Sequence, residues 1–377
     1  MSRLIGDIVD FIHSWAPKSC AQGYDNVGLQ IGRANRSVTK VLVALDITPQ
    51  IIQEARDLAA ELIVTHHPLL FKPLFSLGDA SLESSMALEL AESNIALFSA
   101  HTNLDAARDG VSFELARSLG LTGIQFLSGL EDTLLKFVVF VPPEFAEAVR
   151  HAAHDAGAGQ IGLYSHCSFS VGGSGQFKPG AHTQPFIGES NGPVETVHEV
   201  RIEMQVEKWN VAAVLEAVKL VHPYEEVAYD LFNLVQPHQN LGIGAIGQLA
   251  EPLTLAEFLP LVSSRLNNPA LMYAGDLSKV IRRVAVCGGS GSEFIRLAQQ
   301  AGADAYITGD VTYHRFFDVL DHFGKPTMAL IDAGHYESER MTEDLLVRRL
   351  SERFPEVAFQ KTQLRSAPVH TWVGRET

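Results

Sequence analysis

The feature that most limits what this chain can fold into is an alternation of strand and helix patterns in its first third, repeated in its last. Val41 to Leu45 is a short apolar run with a β-branched bias, followed by Asp46 and a helix start at Thr48–Pro49. Ile51, Ile52, Ala55, Leu58 and Ala59 then recur at helical spacing. Leu62 to Thr65 is strand-like and ends at His66 and His67, a helix pattern covers Glu83 to Ser93, and the strand-like Ile95 to Ala100 ends at His101. Strand, helix, strand with short connections predicts βαβ units, hence a largely parallel sheet with helices on its faces.

The last third repeats this order. Laying Val41 on Val284 without a gap pairs Val43 with Val286, Ile52 with Ile295, Ala55 with Ala298 and Thr65 with Thr308. Few positions are identical, so a chance likeness of two βαβ units is the competing explanation. The next strand in each half favours a true repeat. Ile95 to Ala100 leads into His101-Thr-Asn-Leu-Asp105, and Thr327 to Ala333 leads into Gly334-His335-Tyr-Glu-Ser-Glu339. Each half thus ends a strand at His-x-x-x-carboxylate. The expectation is an α/β protein of two related lobes with strand C-terminal ends converging, where open α/β sheets collect ligands.

The middle third reads differently. Leu134 to Val141 is a strand pattern, Phe145 to Ala156 helical, and Cys167 to Val171 a strand followed by a Gly-rich loop, Gly172 to Gly180. His182 to Pro193 is turn-rich, Val197 to Val206 alternates as a strand, Val211 to Val221 is helical and Val227 to Leu234 strand-like. This order predicts an inserted ferredoxin-like α+β domain. The expected boundaries are 1–128 for the first lobe, 129–235 for the insert and 236–377 for the second lobe. At the start, Leu4, Ile5, Ile8, Val9 and Ile12 have helical spacing, with Ser2 placed as an N-cap. Asp7 and Asp10 interrupt that run, so it is no signal-peptide core. No stretch approaches the ~20 apolar residues that span a bilayer. The expectation is a cytoplasmic protein without membrane contact.

Composition narrows the chemistry. Three cysteines, Cys20, Cys167 and Cys287, lie far apart, which leaves neither a disulfide framework nor a CxxC metal site. Any metal site must come from the 15 histidines and the carboxylates. A formal charge of −15 with no basic run disfavours nucleic acid as a partner. His66 and His67 close a strand where the chain turns, so both rings can reach one cleft; the alternative is one core and one surface histidine. His335 and Glu339, four apart, share a helical face about 5–6 Å apart and suit a metal, or else form a helix-face pair. Asp105 has the same spacing from His101, but Asn103 and the turn-like context argue against a helix there. His101 is either a ligand or orients Asp105 from behind.

His66, His67, Asp105, His335 and Glu339 together suit Zn²⁺, Fe²⁺, Mn²⁺ or Co²⁺. Five side chains exceed the three of a catalytic zinc, so two divalent ions per chain are the more economical reading. Asp310 and His314 stand where His66 and His67 stand in the first lobe. With His101 they are the candidate catalytic residues, as general acid or base, or they cap a helix. Cys287-Gly-Gly-Ser-Gly-Ser292 is either an anion-binding helix start or a tight βα turn. No GxSxG elbow is present.

Tyr24-Asp-Asn-Val-Gly-Leu-Gln-Ile-Gly32, Thr65-His-His-Pro68, Ser99-Ala-His-Thr-Asn-Leu-Asp105 and Gly334-His-Tyr-Glu-Ser-Glu-Arg340 resemble the dinuclear-metal-centre, Nif-like family, whose members carry the label GTP cyclohydrolase I type 2 homologue. The insert, with His222-Pro-Tyr-Glu-Glu226, resembles the CutA-like or PII-like module of the longer bacterial members. The resemblance implies a Nif-like fold of two lobes assembled into a toroidal hexamer, with metal pairs facing its interior. It implies the ligands His66, His67, Asp105, His335 and Glu339, and hydrolytic opening of a guanine imidazole ring. Some relatives carry a second His where this chain has Tyr336, which removes no ligand. Two functions are open at this stage: a metal-dependent hydrolase on a nucleotide or phosphorylated small molecule, and a metal-binding regulatory or scaffold protein whose insert senses a ligand.

Overall fold

The computed structural model describes residues 3–370 and 372. They form two units: 1–128 with 241–377, and 129–240.

The first unit holds two large sheets. One has five strands in the order Ala358–Lys361, Lys40–Ala44, Leu62–Thr65, Ala96–Ser99, Gly28–Ile31. The first four run parallel and Gly28–Ile31 closes the edge antiparallel. Residues alternate across a strand, and here both faces are apolar. Val41 and Val43 pack with Ile5, Ile8 and Ile12 on one side, while Leu42 and Ala44 pack with Ile51, Ile52 and Ala55 on the other. This is the continuous apolar strand of a sheet covered on both faces. Thr48 caps the helix Pro49–Asp57 by accepting the Ile51 N–H at 3.2 Å.

The other sheet has six strands in the order Met272–Ala274, Ala329–Asp332, Ala305–Gly309, Val280–Ser290, Gly242–Thr254, Leu121–Gly129. Its Ala329–Asp332, Ala305–Gly309 and Val280–Ser290 strands are parallel, as the repeat predicts. The first helix runs Ile5–Trp15 from Leu4, whose N–H is held by the Asp7 carboxylate at 3.0 Å; Ser2, the expected cap, lies outside the described residues. A short helix, Thr102–Ala106, does form where Asn103 argued against one. Asn103 is buried: its Oδ1 accepts the His101 N–H at 3.0 Å at the start of this helix, and its amide donates to the Ala16 carbonyl, so the side chain supports the helix and ties it to the rest of the unit.

The second unit is a four-stranded antiparallel sheet in the order Tyr229–Asn233, Leu134–Val141, Glu195–Glu207, Phe169–Phe177. Two helices, Ala146–Asp155 and Val211–Val221, pack on it through Val149, Ala153, Val214 and Val218. Two sequence expectations need correction. Gly172 to Phe177 is strand, not loop, because it pairs in register with Glu195 to Val200 and so satisfies its backbone there. The unit also extends to Asn240, past the expected 235. Leu234 N–H donates to Leu134 O and His238 N–H to Leu130 O, tying that segment down. Among the described residues no helix is long and apolar enough to cross a membrane.

Candidate metal centre

The parallel strands of the first unit bring their C-terminal ends to one place. Leu62–Thr65 delivers His66 and His67. Ala96–Ser99 delivers His101 and, through the short helix, Asp105. Ala329–Asp332 delivers the helix His335–Glu339. The ring centres of His66 and His67 are 5.0 Å apart, those of His66 and His101 5.2 Å, and those of His67 and His335 5.2 Å. Glu339 is almost fully buried at their focus.

Each imidazole is anchored through Nδ1. His66 Nδ1 donates to the Ala100 carbonyl at 2.7 Å, and His67 Nδ1 to Asp46 Oδ1 at 2.6 Å. His101 Nδ1 donates to Asp25 Oδ1 at 3.0 Å, and His335 Nδ1 to Asp310 Oδ2 at 2.7 Å. A proton on Nδ1 leaves Nε2 as a lone pair aimed inward, the arrangement seen where imidazole binds metal.

Among the described residues, three inward atoms lack partners, and the Nε2 atoms of His67 and His335 meet only each other, at 3.3 Å. His66 Nε2, Asp105 Oδ1 and Glu339 Oε2 are buried without a hydrogen bond. His66 Nε2 lies 3.6 Å from both Asp105 Oδ1 and Glu339 Oε1, too far for a hydrogen bond. Glu339 Oε2 stands 3.0 Å from His67 Nε2 and 3.1 Å from His335 Nε2 without bonding alignment. Buried polar atoms without partners are costly, and a cation among converging lone pairs removes that cost. Three sets have ligand atoms within 4.8 Å of one another: His66, Asp105 and Glu339; His67, His335 and Glu339; and His66, His67 and His101.

Electrostatics agree. Burial would lower His67, but Asp46 and Glu339 lift it to about 10. The adjacent Glu339 carboxylate, opposed by burial and helped by Asp310, lifts His335 to about 9. Burial would raise Glu339, yet the surrounding imidazoles hold it well below the ordinary glutamate value. Burial would likewise raise Asp25, but His101 and Thr102 bring it to about 2. Without a cation the carboxylates favour protons on His66, His67 and His335, and a divalent ion takes over that neutralisation.

The glycine-rich stretch after Cys287 is a close-packing turn, not an anion cradle. Gly289 N–H donates to Ser338 Oγ and Gly291 N–H to Thr308 Oγ1, so these donors are taken. A Cβ on Gly289, at φ +60°, would stand 2.1 Å from Glu339 Oε1. Cys287 is buried, and burial with the Asp105 and Glu339 charges pushes its thiol up to about 12. It stays a protonated packing residue.

Six expected site residues, His66, His67, His101, Asp105, His335 and Glu339, therefore meet in space. Asp310 meets them through His335. His314 does not: it is exposed on the turn Tyr313–Val319, with its ring against Tyr313. Sequence reasoning missed Asp25, Asp46 and Ser366, whose hydroxyl donates to Asp46 Oδ2 at 2.7 Å. Asp46 follows the end of Lys40–Ala44, so the strand-end rule that found His66 also points to it. Ser366 carries no such signal.

A cavity of about 410 Å³ opens on the cluster, bordered by Asp46, His67, Asp310 and His335, with Asn268, Tyr336 and Arg365 on its walls. Arg365 lies over the Tyr336 ring at 4.3 Å and pairs with Glu337 at 2.8 Å.

The Duf34/NIF3 (NGG1p interacting factor 3) family pattern matches residues 4–368. The chain is 38% identical over 365 residues to a Halalkalibacterium halodurans protein named GTP cyclohydrolase 1 type 2 homolog, covering 97% of this chain and 96% of that one. It is 38% identical to the Bacillus subtilis protein of the same name over 345 residues, 91% of each chain. Its fold is similar to a Bacillus cereus protein related to NIF3, with TM-score 0.79, 37% identity and coverage of 99% and 100%.

Proposed function

This chain belongs to the Duf34/NIF3 family, and we propose that it is a two-metal hydrolase acting on a nucleotide or another phosphorylated small molecule. One observation carries the reading: four imidazoles are anchored at Nδ1, three of them (His66, His67 and His335) bring Nε2 within 3.6 Å of the Asp105 or Glu339 carboxylates, and His66 Nε2, Asp105 Oδ1 and Glu339 Oε2 are buried without partners. His66 and Asp105, with His101, would hold one ion; His67 and His335 the other; Glu339 stands in both groups and would bridge them. Divalent ions so held would act as Lewis acids and make a water nucleophilic near neutral pH.

The chain's own residues supply the rest. Asp46, Asp25 and Asp310 fix the imidazole tautomers. Asp310 also borders the cavity, where it is placed to take or return a proton. His314 has no role in this reading. The adjoining cavity, large enough for a small molecule, supports turnover over a purely structural metal pair. The relatives' name supports a nucleotide, with opening of a guanine ring as the reaction to try first.

We further take residues 129–240 as a ferredoxin-like, CutA- or PII-like insert between two lobes of a Nif-like fold, on its β-α-β-β-α-β order. A toroidal hexamer in the cytoplasm is the assembly and location we propose, on the resemblance of the motifs. Metal analysis of protein purified without added metal should give about two divalent ions per chain. Fewer than one, with no loss in His66→Ala or Glu339→Ala, overturns the proposal. A screen of nucleotides and phosphoesters against metal-loaded protein, with Asp105→Ala as control, then seeks the substrate.

A further inference from the structure

The second unit contains a cavity of about 310 Å³ that the metal chemistry does not use. Three of its walls are aromatic: Phe177, Phe186 and Tyr224. The Tyr224 ring centre is 6.3 Å from that of Phe177 and 6.2 Å from that of Phe186. Three further walls are the carboxylates Glu199, Glu225 and Glu226, against one cation, Lys178.

The cavity is built from parts distant in sequence, and the His222-Pro-Tyr-Glu-Glu226 motif supplies one side. His222 is locked at both nitrogens: Nε2 donates to the Phe140 carbonyl at 3.0 Å, and Nδ1 accepts the Tyr224 N–H at 3.1 Å. That fixes the turn from which Tyr224 O–H donates to Glu199 Oε1 at 3.0 Å. The Glu225 carboxylate takes the Gln184 N–H with both oxygens, at 3.0 and 3.1 Å, and so holds the facing loop. Glycine at 175 leaves room for the acid, because a Cβ there would stand 2.2 Å from Glu199 Oε2.

The chemistry of the walls selects the ligand. Among the described residues, no Lys, Arg or His forms an ion pair with Glu199, Glu225 or Glu226. The cavity is therefore net negative and faced with π surface, which attracts a cation that is weakly hydrated. A bare metal ion is the poorer fit. The only ligand sets with atoms close enough to share an ion lie in the first unit, among the described residues. An anion or a nucleotide phosphate would face three carboxylates.

We propose that this cavity binds an organic ammonium ion, with the charged nitrogen between Glu199 and the rings of Tyr224, Phe177 and Phe186. The inference does not rest on the metal reading. Its test uses the full chain and two probes of matched shape: choline, and its uncharged carbon isostere dimethylbutanol. Calorimetric titration should show choline binding roughly tenfold or more tightly than the isostere. Glu199→Gln and Phe186→Ala should each weaken choline by about tenfold, with unchanged melting temperature. His66→Ala should leave choline binding as it was. Equal binding of the two probes, no binding of choline, or choline binding unaltered by both insert variants would overturn the proposal. So would a divalent ion that displaces choline competitively in the His66→Ala protein.

Discussion

Thr65-His66-His67 in the five-stranded sheet and Thr308-Gly309-Asp310 in the six-stranded sheet close parallel strands at matching places in the sequence, yet the two tripeptides serve different ends. The first turns both imidazoles into the cluster. The second turns in none. Gly309 is bare because the backbone of His335 occupies the space its side chain would need: a Cβ there would lie 2.8 Å from both N and Cα of His335. Asp310 supplies the carboxylate that anchors His335 Nδ1. The same exchange appears one strand earlier. Asp46, which anchors His67, aligns with Gly289, which makes room for Glu339. One sheet offers ligands from the strand end itself. The other clears its strand ends so that a helix one strand later can bring His335 and Glu339 in.

Placing the five-stranded sheet's residue at the matching position of the six-stranded sheet should break this arrangement most severely. Gly309→His forces a side chain against His335 N and Cα and the Gly334 carbonyl carbon, all backbone atoms that have no rotamer to escape into. Overpacking of this kind costs about 1–3 kcal/mol, and the helix carrying two ligands must move. Denaturant melts should show that loss, and elemental analysis should show metal content falling below that of any single anchor variant.

The anchors come next. Asp46→Asn and Asp310→Asn keep shape and remove the charge that orients an imidazole, so each should weaken metal binding about 10- to 100-fold. Asp46→Asn should be the more damaging. Asp46 is also tied to Ser366 and its His67 partner is more buried, whereas the Asp310 side chain is 56% exposed. Chelator-buffered metal titrations of the two variants would rank them, and the reverse order would show that the two sheets do not divide the task in this way.

Much of this was legible in the sequence because strand ends are periodic and apolar. His66, His67, His101, His335 and Glu339 all follow patterns that mark where a buried parallel strand stops. Asp105 was legible for its spacing although its helix was not, since Asn103 reads locally as a turn residue and only the Ala16 carbonyl makes it a packing residue. Ser366 and Arg365 reach the site along a segment without regular structure, where no periodicity reports direction. The glycines after Cys287 left a tight turn and an anion site both open in the sequence, because a glycine states only that space is needed. What needs the space, here Glu339, is visible only in three dimensions.

A smaller effect concerns how the Asp46 anchor is held. Glu343, on the helix Met341–Arg353, accepts the N–H of Leu45 at 3.0 Å, next to the Asp46 anchor. Burial pushes its carboxyl up to about 7 from an ordinary 4.5, against the opposing pull of that N–H and Lys361. The folded value is the raised one, so its contribution to stability is fully present below about pH 4.5 and is lost as pH rises through 7. Above pH 7 the chain carries a buried carboxylate that the unfolded chain would solvate. Glu343→Gln retains an acceptor for Leu45 and removes the charge. It should stabilise the protein by about 1–3 kcal/mol above neutral pH and leave it little changed near pH 4.5. Melts across that range would check the sign. A variant less stable above pH 7 but unchanged near pH 4.5 would mean that the charge itself holds Leu45, and with it Asp46, in place.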